Sequence, residues 1–479
     1  MAKIAFVQNL AFEYLGVMYI SSILKIHGHQ VETFIIDKRD DRKVFRKISQ
    51  FSPDLVGFSC LTGSHKWAIE FARRLKKNLS IKTILGGPHP TFFPEIISES
   101  GVDIICIGEG ENALLEIANK IDKKEDYTDV SNCWFNVNGK VIKNQVAPLI
   151  ERLDTVPFPD REIYYQKYPY LNKSKKVFLT TRGCPFKCSF CFNHALQKIY
   201  SGKGKYVRRQ SVDNVLEEIK YIKERYGLKV VYFQDDTFIL DKQWVKEFLD
   251  RYKKEINLPF FCLIRADVVN EDIIKDMASA GCSRVFWGIE SGDEKMRIGL
   301  LKKGITDEQI YRTARLLKKY KIKFRTYNML GFPGETLQQA FDTVKINSKI
   351  KTDYPWCSLF QPYPRTELGD YSWTMGYIEG TTDNFEHSFF KDSIIKSDIR
   401  KEIINLQKLF FYGVKFPLIR HIFEKTRILS ISPNIVFELL FLISYAYCYM
   451  KSEQRSFFEV LDIARRNIIN FFFTRIKSS

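Results

Sequence analysis

The sequence lacks the features of a disulfide-rich secreted protein, because its ten cysteines are spread over 479 residues. Seven of them lie far apart, and several stand inside apolar runs, where a thiol usually packs as a small hydrophobic group. The opening residues MAKIAFVQNLAF contain neither the long apolar core nor the cleavage site of a signal peptide. Low-complexity tracts are absent as well. We therefore expect a folded protein that works in a reducing cytoplasm.

Long hydrophobic runs are also scarce. One lies at 435–450, and its sixteen residues fall short of the length that a helix needs to span a bilayer. Residues 370–479 are rich in aromatics and follow a helical pattern without a series of strands, so we predict a mostly helical C-terminal region. The apolar run is then either a buried core helix, which we favour, or a helix that makes peripheral contact with a membrane.

The charge of the chain is strongly positive, since 74 basic residues face 56 acidic ones and leave a net charge of +18. Such an excess is compatible with nucleic acid, an anionic membrane surface or a phosphorylated substrate. The basic residues are spread along helix faces instead of being concentrated in one arm. The composition therefore argues against nucleic acid as a partner.

Residues 1–128 alternate short β-branched runs with amphipathic stretches. The runs KIAFVQ, VETFII, DLVGFS, KTILGG and DIICIG predict five strands, and the stretches between them predict helices. This alternation is typical of an α/β fold with a doubly wound, Rossmann-like parallel sheet, whose ligands bind beyond the carboxyl ends of the strands. Because no Gly-x-Gly-x-x-Gly opens the first helix, a dinucleotide is not favoured.

Residues 129–174 are predicted to connect this domain to a second one. Within them, WFNVNGKVI has the pattern of a β-hairpin with Asn138 and Gly139 in a type I′ turn. A second βα series follows at 175–369, with the strand candidates VFLTT, VVYFQ, FFCLI, RVFWGI, FRTYNML and SLFQ. A full TIM barrel has eight strands, so these six predict a partial (β/α)6 TIM-like barrel with its active residues after the strands.

Three cysteines are crowded directly after the first barrel strand, in TRGCPFKCSFCFN. The spacing Cys184-x3-Cys188-x2-Cys191 lets three thiolates converge on one metal centre, and cysteine is the usual ligand of a 4Fe-4S cluster. Three ligands for four irons leave one iron open for chemistry. The alternative is a zinc site completed by His194, although zinc sites of this type seldom follow the first strand of a βα barrel.

The pattern Cys-x3-Cys-x-aromatic-Cys, with Phe190 as the aromatic residue, resembles the signature of the radical S-adenosylmethionine (radical SAM) superfamily. The resemblance implies that the open iron binds S-adenosylmethionine and that one electron from the cluster breaks its sulfonium bond, yielding a 5′-deoxyadenosyl radical. The residues expected at the S-adenosylmethionine site are Phe190, Asp235, Asp236, Arg265, Glu290, Ser291 and Gly331. Helix capping is the alternative for the two aspartates, and a surface ion pair is the alternative for Arg265.

A Rossmann-like domain in front of this barrel resembles the cobalamin-binding branch of the superfamily. The resemblance is carried by LGVMYISSILKIHGHQVE, DLVGFSCLTGSH, ILGGPHPTFFPE and DIICIGEGEN. It implies a cobalamin site made of Ser59, Thr62, Gly86, Gly87, His89, Gly108, Glu109 and Gly110. The Asp-x-His-x-x-Gly loop that supplies a lower cobalt ligand in other cobalamin proteins is absent, and a domain that binds nothing is the alternative.

The resemblance as a whole implies a cobalamin-dependent methyltransferase that acts on an unactivated carbon of a small molecule or lipid, with an external electron donor of the flavodoxin or ferredoxin type. A cobalamin-binding cyclase or oxidoreductase and an RNA-modifying enzyme are alternatives. Against RNA modification, the N-terminal region lacks the three cysteines of methylthiotransferases, and no small β-barrel RNA module follows the core. Outside the enzymes, the alternative is a cobalamin- or zinc-binding sensor.

Overall fold

The structure is a computed structural model that describes residues 1–36, 41–381, 385 and 388–472, without the side chains of 41 and 467–472. The chain divides into two compact units. Unit 1 contains Met1–Lys173, Ile199–Lys205 and the described residues after Val460, and unit 2 contains Ser174–Lys198 and Tyr206–Val460. Parts of the predicted N-terminal domain (37–40) and of the predicted helical region (382–384, 386–387 and 473–479) lie outside the described residues. The domain boundaries inferred from the sequence stay predictions.

Unit 1 contains a seven-stranded sheet. Its strands are β1 (Lys3–Gln8), β2 (Gln30–Ile35), β3 (Leu55–Ser59), β4 (Lys82–Gly86), β5 (Ile104–Cys106), β6 (Cys133–Val137) and β7 (Lys140–Lys143). Its helices are α1 (Leu15–Ile26), α2 (Asp41–Phe51), α3 (His65–Leu79), α4 (Pro88–Phe92), α5 (Glu111–Lys123) and α6 (Glu162–Tyr165). The strand order is β2-β1-β3-β4-β5-β6-β7, with β1 to β5 parallel. The predicted doubly wound parallel sheet is confirmed.

The hairpin predicted at WFNVNGKVI is also present, as β6 and β7. Asn138 and Gly139 have φ angles of 51° and 85°, and a type I′ turn requires positive φ at both positions. The hairpin does not stand apart as a connector, because β6 pairs antiparallel with β5 and extends the sheet of unit 1. The aromatic residue Phe135 on β6 is buried against that sheet.

Unit 2 contains the second parallel sheet. Its strands, with a short separate pair β9 and β10, are β8 (Lys175–Phe178), β9 (Thr181–Arg182), β10 (Arg208–Arg209), β11 (Val230–Phe233), β12 (Phe260–Leu263), β13 (Cys282–Glu290), β14 (Lys323–Leu330) and β15 (Tyr354–Leu359). Six of them are parallel in the order β15-β14-β13-β12-β11-β8, so β8 and β15 are the two edges. Six parallel strands with two open edges fit the predicted partial barrel, since a full barrel has eight strands and closes on itself.

The helices that follow these strands cover the outside of the sheet. They are α7 (Phe192–Ile199), α8 (Val212–Tyr226), α9 (Lys242–Glu255), α10 (Glu271–Ser279), α11 (Asp307–Lys319) and α12 (Leu337–Lys349). Capping residues explain where several begin, because Ser211, Asp241 and Asn270 each accept a hydrogen bond from a backbone N–H of the first turn. Thr306 and Thr336 form capping boxes with glutamines three residues later.

The C-terminal region is helical where the structure describes it, as predicted. It contains α13 (Glu367–Thr374), α14 (Arg400–Lys415), α15 (Pro417–Lys425), α16 (Ile435–Glu453) and α17 (Phe457–Phe472). The preferred reading of 435–450 as a buried core helix is wrong, because only 22% of the apolar window of α16 is buried. Phe437, Ser444 and Cys448 of α16 are buried. Other apolar side chains of the same helix, such as Ile435 and Ile443, are exposed. Within the described residues, α16 is the one helix whose length and composition would suit a membrane span.

The C-terminal end of α16 forms a buried ionic cluster at the end of the barrel where the strands begin. Glu453 pairs with Lys175, the first residue of β8, and its Oε1 lies 3.2 Å from Nη1 of Arg325 near the start of β14. Ser452 accepts a further hydrogen bond from Arg325. All four side chains are nearly excluded from water. Residues more than 120 positions apart therefore hold the helix end against the strands.

Candidate active site and cofactor residues

The three cysteines predicted as cluster ligands lie in the loop between β9 and α7. Cys188 is buried, while Cys184 and Cys191 are half-buried. The turn is held by its own backbone, since the N–H of Cys191 donates to the carbonyl of Cys188 at 3.1 Å. Gly183 enters the loop with a φ of 88°, and a side chain there would collide with the backbone of Tyr206. Glycine is therefore the residue suited to position 183, where the loop passes close to the backbone of Tyr206.

The thiols of this loop share one electrostatic environment. Burial is the main factor that raises the pKa of Cys184 to about 11, with a further contribution from Cys191, and it also raises the pKa of Cys191. Cys188 acts on Cys191 in the same direction. Neutral thiols are therefore favoured until a metal takes the place of the protons. Three thiols that interact electrostatically within one loop fit a cluster that has three protein ligands.

A single metal ion is not suited to this loop. In the described part of the chain, no three His, Cys, Asp or Glu side chains lie close enough together to hold one ion. His194, the fourth ligand of the zinc alternative, has its Nδ1 3.8 Å from a carboxylate oxygen of Glu367. An iron–sulfur cluster has its thiolate ligands on different irons, so it tolerates wider separations between the sulfurs.

Arg265 lies beside the cysteine loop. Its Nη1 donates to Sγ of Cys188 at 3.4 Å, and the guanidinium stands 3.6 Å from the centre of the Phe186 ring. The remaining nitrogens bind both carboxylate oxygens of Asp267, at 3.1 and 2.9 Å, and the carbonyl of Lys303. Arg265 therefore forms an ion pair, as the alternative interpretation proposed, but this pair with Asp267 is largely buried and not on the surface. Arg265 is thus a charged hydrogen-bond donor to the sulfur that Cys188 would present to a cluster.

The two neighbouring aspartates after β11 differ in environment. Asp235 is fully buried, and its Oδ1 accepts hydrogen bonds from the backbone N–H groups of Thr180 and Thr181 at 2.8 and 2.5 Å. Burial raises its pKa to about 6, opposed by Arg209. Asp235 therefore ties down the turn that leads to the cysteines. Asp236 is exposed and interacts electrostatically with both Cys184 and Cys191.

Two side chains that the sequence reasoning missed accompany Asp236. Asn193 forms a hydrogen bond with the Asp236 carboxylate and accepts another from the hydroxyl of Tyr206 at 2.9 Å. Burial, followed by Asp236, raises the pKa of Tyr206, so its phenol stays protonated. No local pattern identifies either residue, because both depend on contacts between loops.

The end of β13 carries a buried ion pair. Glu290 has a φ of 68°, and its Oε1 lies 2.7 Å from Nζ of Lys303. Lys303 also stands 5.9 Å from the centre of the Phe190 ring, the aromatic residue of the cysteine motif. A side chain at Gly288 would overlap with Glu290, so this glycine is needed for the close approach. Lys303 is a third residue that the sequence reasoning did not select.

Ser291 and Gly331 both make hydrogen bonds within the protein. Ser291 is fully buried, with its hydroxyl 3.6 Å from Sδ of Met296. Gly331 has a φ of 84°, and its N–H donates to Oε2 of Glu335 at 2.5 Å. Burial raises the pKa of Glu335 to about 8, and its Oε1 has no partner among the residues described. Glu335, which the sequence reasoning did not select, holds the Gly-Phe-Pro-Gly turn.

At the carboxyl edge of the unit 1 sheet, Thr62 and His89 are in contact. Oγ1 of Thr62 lies 3.1 Å from Nδ1 of His89, whose ring stacks on that of His65 at 3.7 Å. Burial, with a smaller effect of His65, lowers the pKa of His89 to about 3, so the imidazole is neutral. Its buried Nε2 has no hydrogen-bond partner within the described structure. Such an orphaned nitrogen fits a site completed by a ligand.

Two glycines shape the adjacent strand end. Gly87 has a φ of 94°, and a Cβ there would lie 3.1 Å from the backbone of Cys60 and 3.2 Å from Oγ of Ser59. A Cβ at Gly86 would meet only Cys106, at 3.7 Å, so space for a ligand remains beyond β4. The arrangement of Ser59, Thr62, Gly86, Gly87 and His89 therefore fits part of a large cofactor.

The Gly108-Glu109-Gly110 turn is already in contact with protein. A Cβ at Gly108 would overlap with the hydroxyl of Tyr200, which also accepts a hydrogen bond from the N–H of Glu109 at 2.8 Å. The backbone N–H of Ile150 binds Oε2 of Glu109 at 3.2 Å. Gly108 nevertheless lies near the other predicted residues, because its N–H donates to Thr91, which in turn donates to the carbonyl of Gly87.

Comparison with known proteins agrees with both halves of this arrangement. Residues 178–346 match the family model of the radical SAM superfamily, and residues 9–118 match that of the B12 binding domain. A protein of Pyrococcus horikoshii described as an uncharacterized methyltransferase is 31% identical over 427 residues, covering 86% of this chain and 90% of its own length. The chain belongs to the radical SAM enzymes that carry a B12 binding domain. The zinc and sensor alternatives are therefore wrong, and the cofactors are a 4Fe-4S cluster, S-adenosylmethionine and cobalamin.

Other relatives of this radical SAM enzyme have different names. The anaerobic magnesium-protoporphyrin IX monomethyl ester cyclase of Rubrivivax gelatinosus is 27% identical, covering 84% of this chain and 74% of its own. Among solved structures, the methyltransferase TsrM of Kitasatospora setae, with cobalamin and a [4Fe-4S] cluster bound, has a TM-score of 0.65 at 18% identity, covering 80% and 76% of the two chains. The cobalamin-dependent enzyme OxsB has a TM-score of 0.67 at 17% identity, covering 98% and 75%. These structures confirm the fold.

Proposed function

We propose that this radical SAM enzyme is a cobalamin-dependent methyltransferase that acts on an unactivated carbon of a small molecule or lipid. The observation that carries the proposal is the presence, in one chain, of the cysteine loop on a partial barrel and a sheet whose carboxyl edge fits cobalamin. The relative with 31% identity is described as a methyltransferase, which supports the same reaction.

In this proposal Cys184, Cys188 and Cys191 hold the cluster, and Arg265 stabilises the thiolate of Cys188 from the side. When bound, the cluster with S-adenosylmethionine supplies a 5′-deoxyadenosyl radical, and cobalamin supplies the methyl group. The protein must keep water away from the reacting groups, and burial of Cys188 and Arg265 serves this purpose.

The side chains proposed to contact S-adenosylmethionine lie around the cysteine loop. Asp236, positioned by Asn193, is the carboxylate available for the ammonium group. The site also offers the aromatic ring of Phe190, which lies beside the Glu290–Lys303 ion pair. We assign Asp235 and Ser291 to positioning, since their side chains are bound within the protein. Gly331 contributes a turn held by Glu335.

The space beyond β4 is expected to be necessary for cobalamin binding. Replacement Gly86→Val fills the space beyond β4, so we expect cobalamin retained after anaerobic reconstitution to fall from near one per chain to near zero. Iron content serves as the internal control, because the cysteines lie in the other unit. Absorbance of bound cobalamin after gel filtration gives the measurement. Full retention by Gly86→Val would exclude this edge as the binding site.

Methyl transfer itself is tested with S-adenosylmethionine labelled in its methyl group. Under anaerobic reducing conditions, with a flavodoxin- or ferredoxin-type donor and candidate small molecules or lipids, we expect label in the product together with 5′-deoxyadenosine. Omission of cobalamin should abolish the label. Formation of 5′-deoxyadenosine without labelled product from a cobalamin-loaded enzyme would contradict methyl transfer.

The cyclase-type reaction is a second candidate, and the relative from Rubrivivax gelatinosus favours it specifically. An unlabelled but chemically altered substrate, found in the same experiment, would support this candidate. We further propose that the enzyme works in the cytoplasm, where its electron donor is available, and that it makes peripheral contact with a membrane.

A further inference from the structure

Both α15 and α16 expose several apolar side chains. On α16, Ile435, Leu439, Ile443 and Tyr447 follow one another at four-residue intervals and therefore form one row. Ile435 is 71% exposed, Ile443 is 63% exposed, and Leu418 on α15 is 82% exposed. The surface, called here the apolar face, consists of Phe416, Leu418, Ile422, Ile431, Ile435, Val436, Leu439, Leu442, Ile443 and Tyr447.

The opposite side of α16 is fixed to unit 2. Phe437 and Cys448 are buried, and the backbone carbonyl of Leu440 accepts a hydrogen bond from the hydroxyl of Tyr412 at 3.1 Å. At the end of the helix, Glu453 belongs to the buried ionic cluster of the barrel. Crossing a bilayer would require all of these contacts to break and buried charges to separate. The helix is therefore suited to lie on a membrane and not to span it.

The charge around the apolar face is positive. Between residues 415 and 455, six Lys or Arg residues face three Glu residues. Each glutamate is paired within the fold, with the partners Lys345 for Glu424, Lys408 for Glu438, and Lys175 with Arg325 for Glu453. The exposed cations Lys425, Arg427 and Lys451 form no ion pair with any side chain that the structure describes.

We propose that the apolar face binds the surface of a membrane that contains anionic phospholipids. Its aliphatic side chains would enter the boundary between headgroups and acyl chains, and Lys425, Arg427 and Lys451 would lie at the level of the phosphates. A second copy of the chain is the competing occupant. Lipid is favoured, because a symmetric dimer would bring the same unpaired cations of both copies together. This membrane surface is independent of the reaction that the barrel catalyses.

The test uses the full-length, reconstituted protein and vesicles of phosphatidylglycerol with phosphatidylcholine, compared with vesicles of phosphatidylcholine alone. We expect co-flotation with the anionic vesicles that weakens as salt is raised. The double variant Leu439→Glu/Ile443→Glu should lose about tenfold or more in partitioning, since two exposed apolar side chains that would enter the bilayer become charged. The double variant Lys425→Glu/Lys451→Glu should lose the preference for anionic lipid. Tyr221→Glu, on the exposed face of α8, is the matched control and should bind like the wild type.

Three outcomes would overturn the proposal. The first is no binding to anionic vesicles, and the second is binding by both double variants that equals that of the wild type. The third is a dimer in light scattering that Leu439→Glu/Ile443→Glu dissociates while vesicle binding is absent. Circular dichroism and formation of 5′-deoxyadenosine without vesicles show whether each variant is folded. If Leu439→Glu/Ile443→Glu does not fold, vesicle binding by Lys425→Glu/Lys451→Glu tests the proposal by itself. This second variant should fold, because it changes only exposed side chains.

Discussion

Replacement Cys184→Ala should abolish the iron–sulfur cluster and, with it, the cleavage of S-adenosylmethionine. Removing one of three protein ligands leaves a second iron without its thiolate, and neither neighbour can replace it. We expect iron after anaerobic reconstitution to fall to background and 5′-deoxyadenosine formation to fall about a thousandfold or more, as when other irreplaceable catalytic groups are removed. Iron analysis and chromatographic quantification of 5′-deoxyadenosine provide the measurement.

Cys282→Ala is the matched control for this experiment. Cys282 is also buried in unit 2, but it lies at the start of β13, at the opposite end of the strands from the cysteine loop. Its removal should leave iron content and S-adenosylmethionine cleavage close to those of the wild type. Retention of the cluster by Cys184→Ala would show that the proposed ligand set is wrong.

The second large effect is expected for the stability of the barrel. Glu453→Ala would leave Lys175 and Arg325 as two buried cations without their carboxylate, and breaking a buried ion pair in this way costs about 3–5 kcal/mol of unfolding free energy. We expect a clearly lower midpoint of thermal unfolding by circular dichroism. Glu453→Gln should be intermediate, because it keeps the shape of the side chain and one accepting oxygen but not its charge.

Glu424→Ala is the corresponding control at the surface. Glu424 lies 3.1 Å from Lys345, and these side chains are 25% and 42% exposed. Water screens such a pair, so its loss should cost about 1 kcal/mol or less. If Glu453→Ala and Glu424→Ala shift the midpoint equally, the cluster at the end of α16 does not stabilise the barrel.

The same cluster predicts a dependence of stability on pH. Burial alone would raise the pKa of Glu453, but attraction by Lys175 and Arg325 outweighs it, so the pKa lies below its ordinary value of 4.5. A carboxyl group with a lowered pKa stabilises the fold above its ordinary pKa, and this stabilisation is lost as the pH falls through the lowered value. The difference in stability between wild type and Glu453→Gln should therefore be full near pH 6 and shrink in strong acid. A constant difference over this range would contradict the ion pair.

Strand and helix order followed from local patterns in the sequence, and so did the turn at Asn138 and Gly139. Hydrophobic periodicity and capping residues act over a few positions, which is why both βα series were predicted in the right order. The cysteine motif was equally local, since its three thiols lie within eight residues. Its spacing, together with the domain order, was sufficient to indicate the family that the comparisons confirm.

The residues around the cysteine loop could not be found in this way. Lys303, Asn193, Tyr206 and Glu335 carry no motif of their own, and their positions depend on contacts between loops that folding brings together. The roles of Asp235 and Asp236 illustrate the same limit. The two adjacent carboxylates look equivalent in the sequence. In the structure Asp235 accepts hydrogen bonds from backbone N–H groups, while Asp236 is exposed near the thiols.

The apolar run at 435–450 shows most clearly what the sequence determines and what the tertiary structure determines. Composition indicated an apolar helix at this segment, but counting only the sixteen apolar residues underestimated its length, since α16 contains 19 residues. Which of its faces is buried depends on partners far away in the chain, namely α14 on one side and Lys175 and Arg325 at its end. The sequence by itself thus determined the two βα units, the cysteine loop and the cofactors that they imply. Only the tertiary structure decided which side chains surround the cysteines and which apolar face stays exposed, because burial is set by long-range packing and not by local pattern.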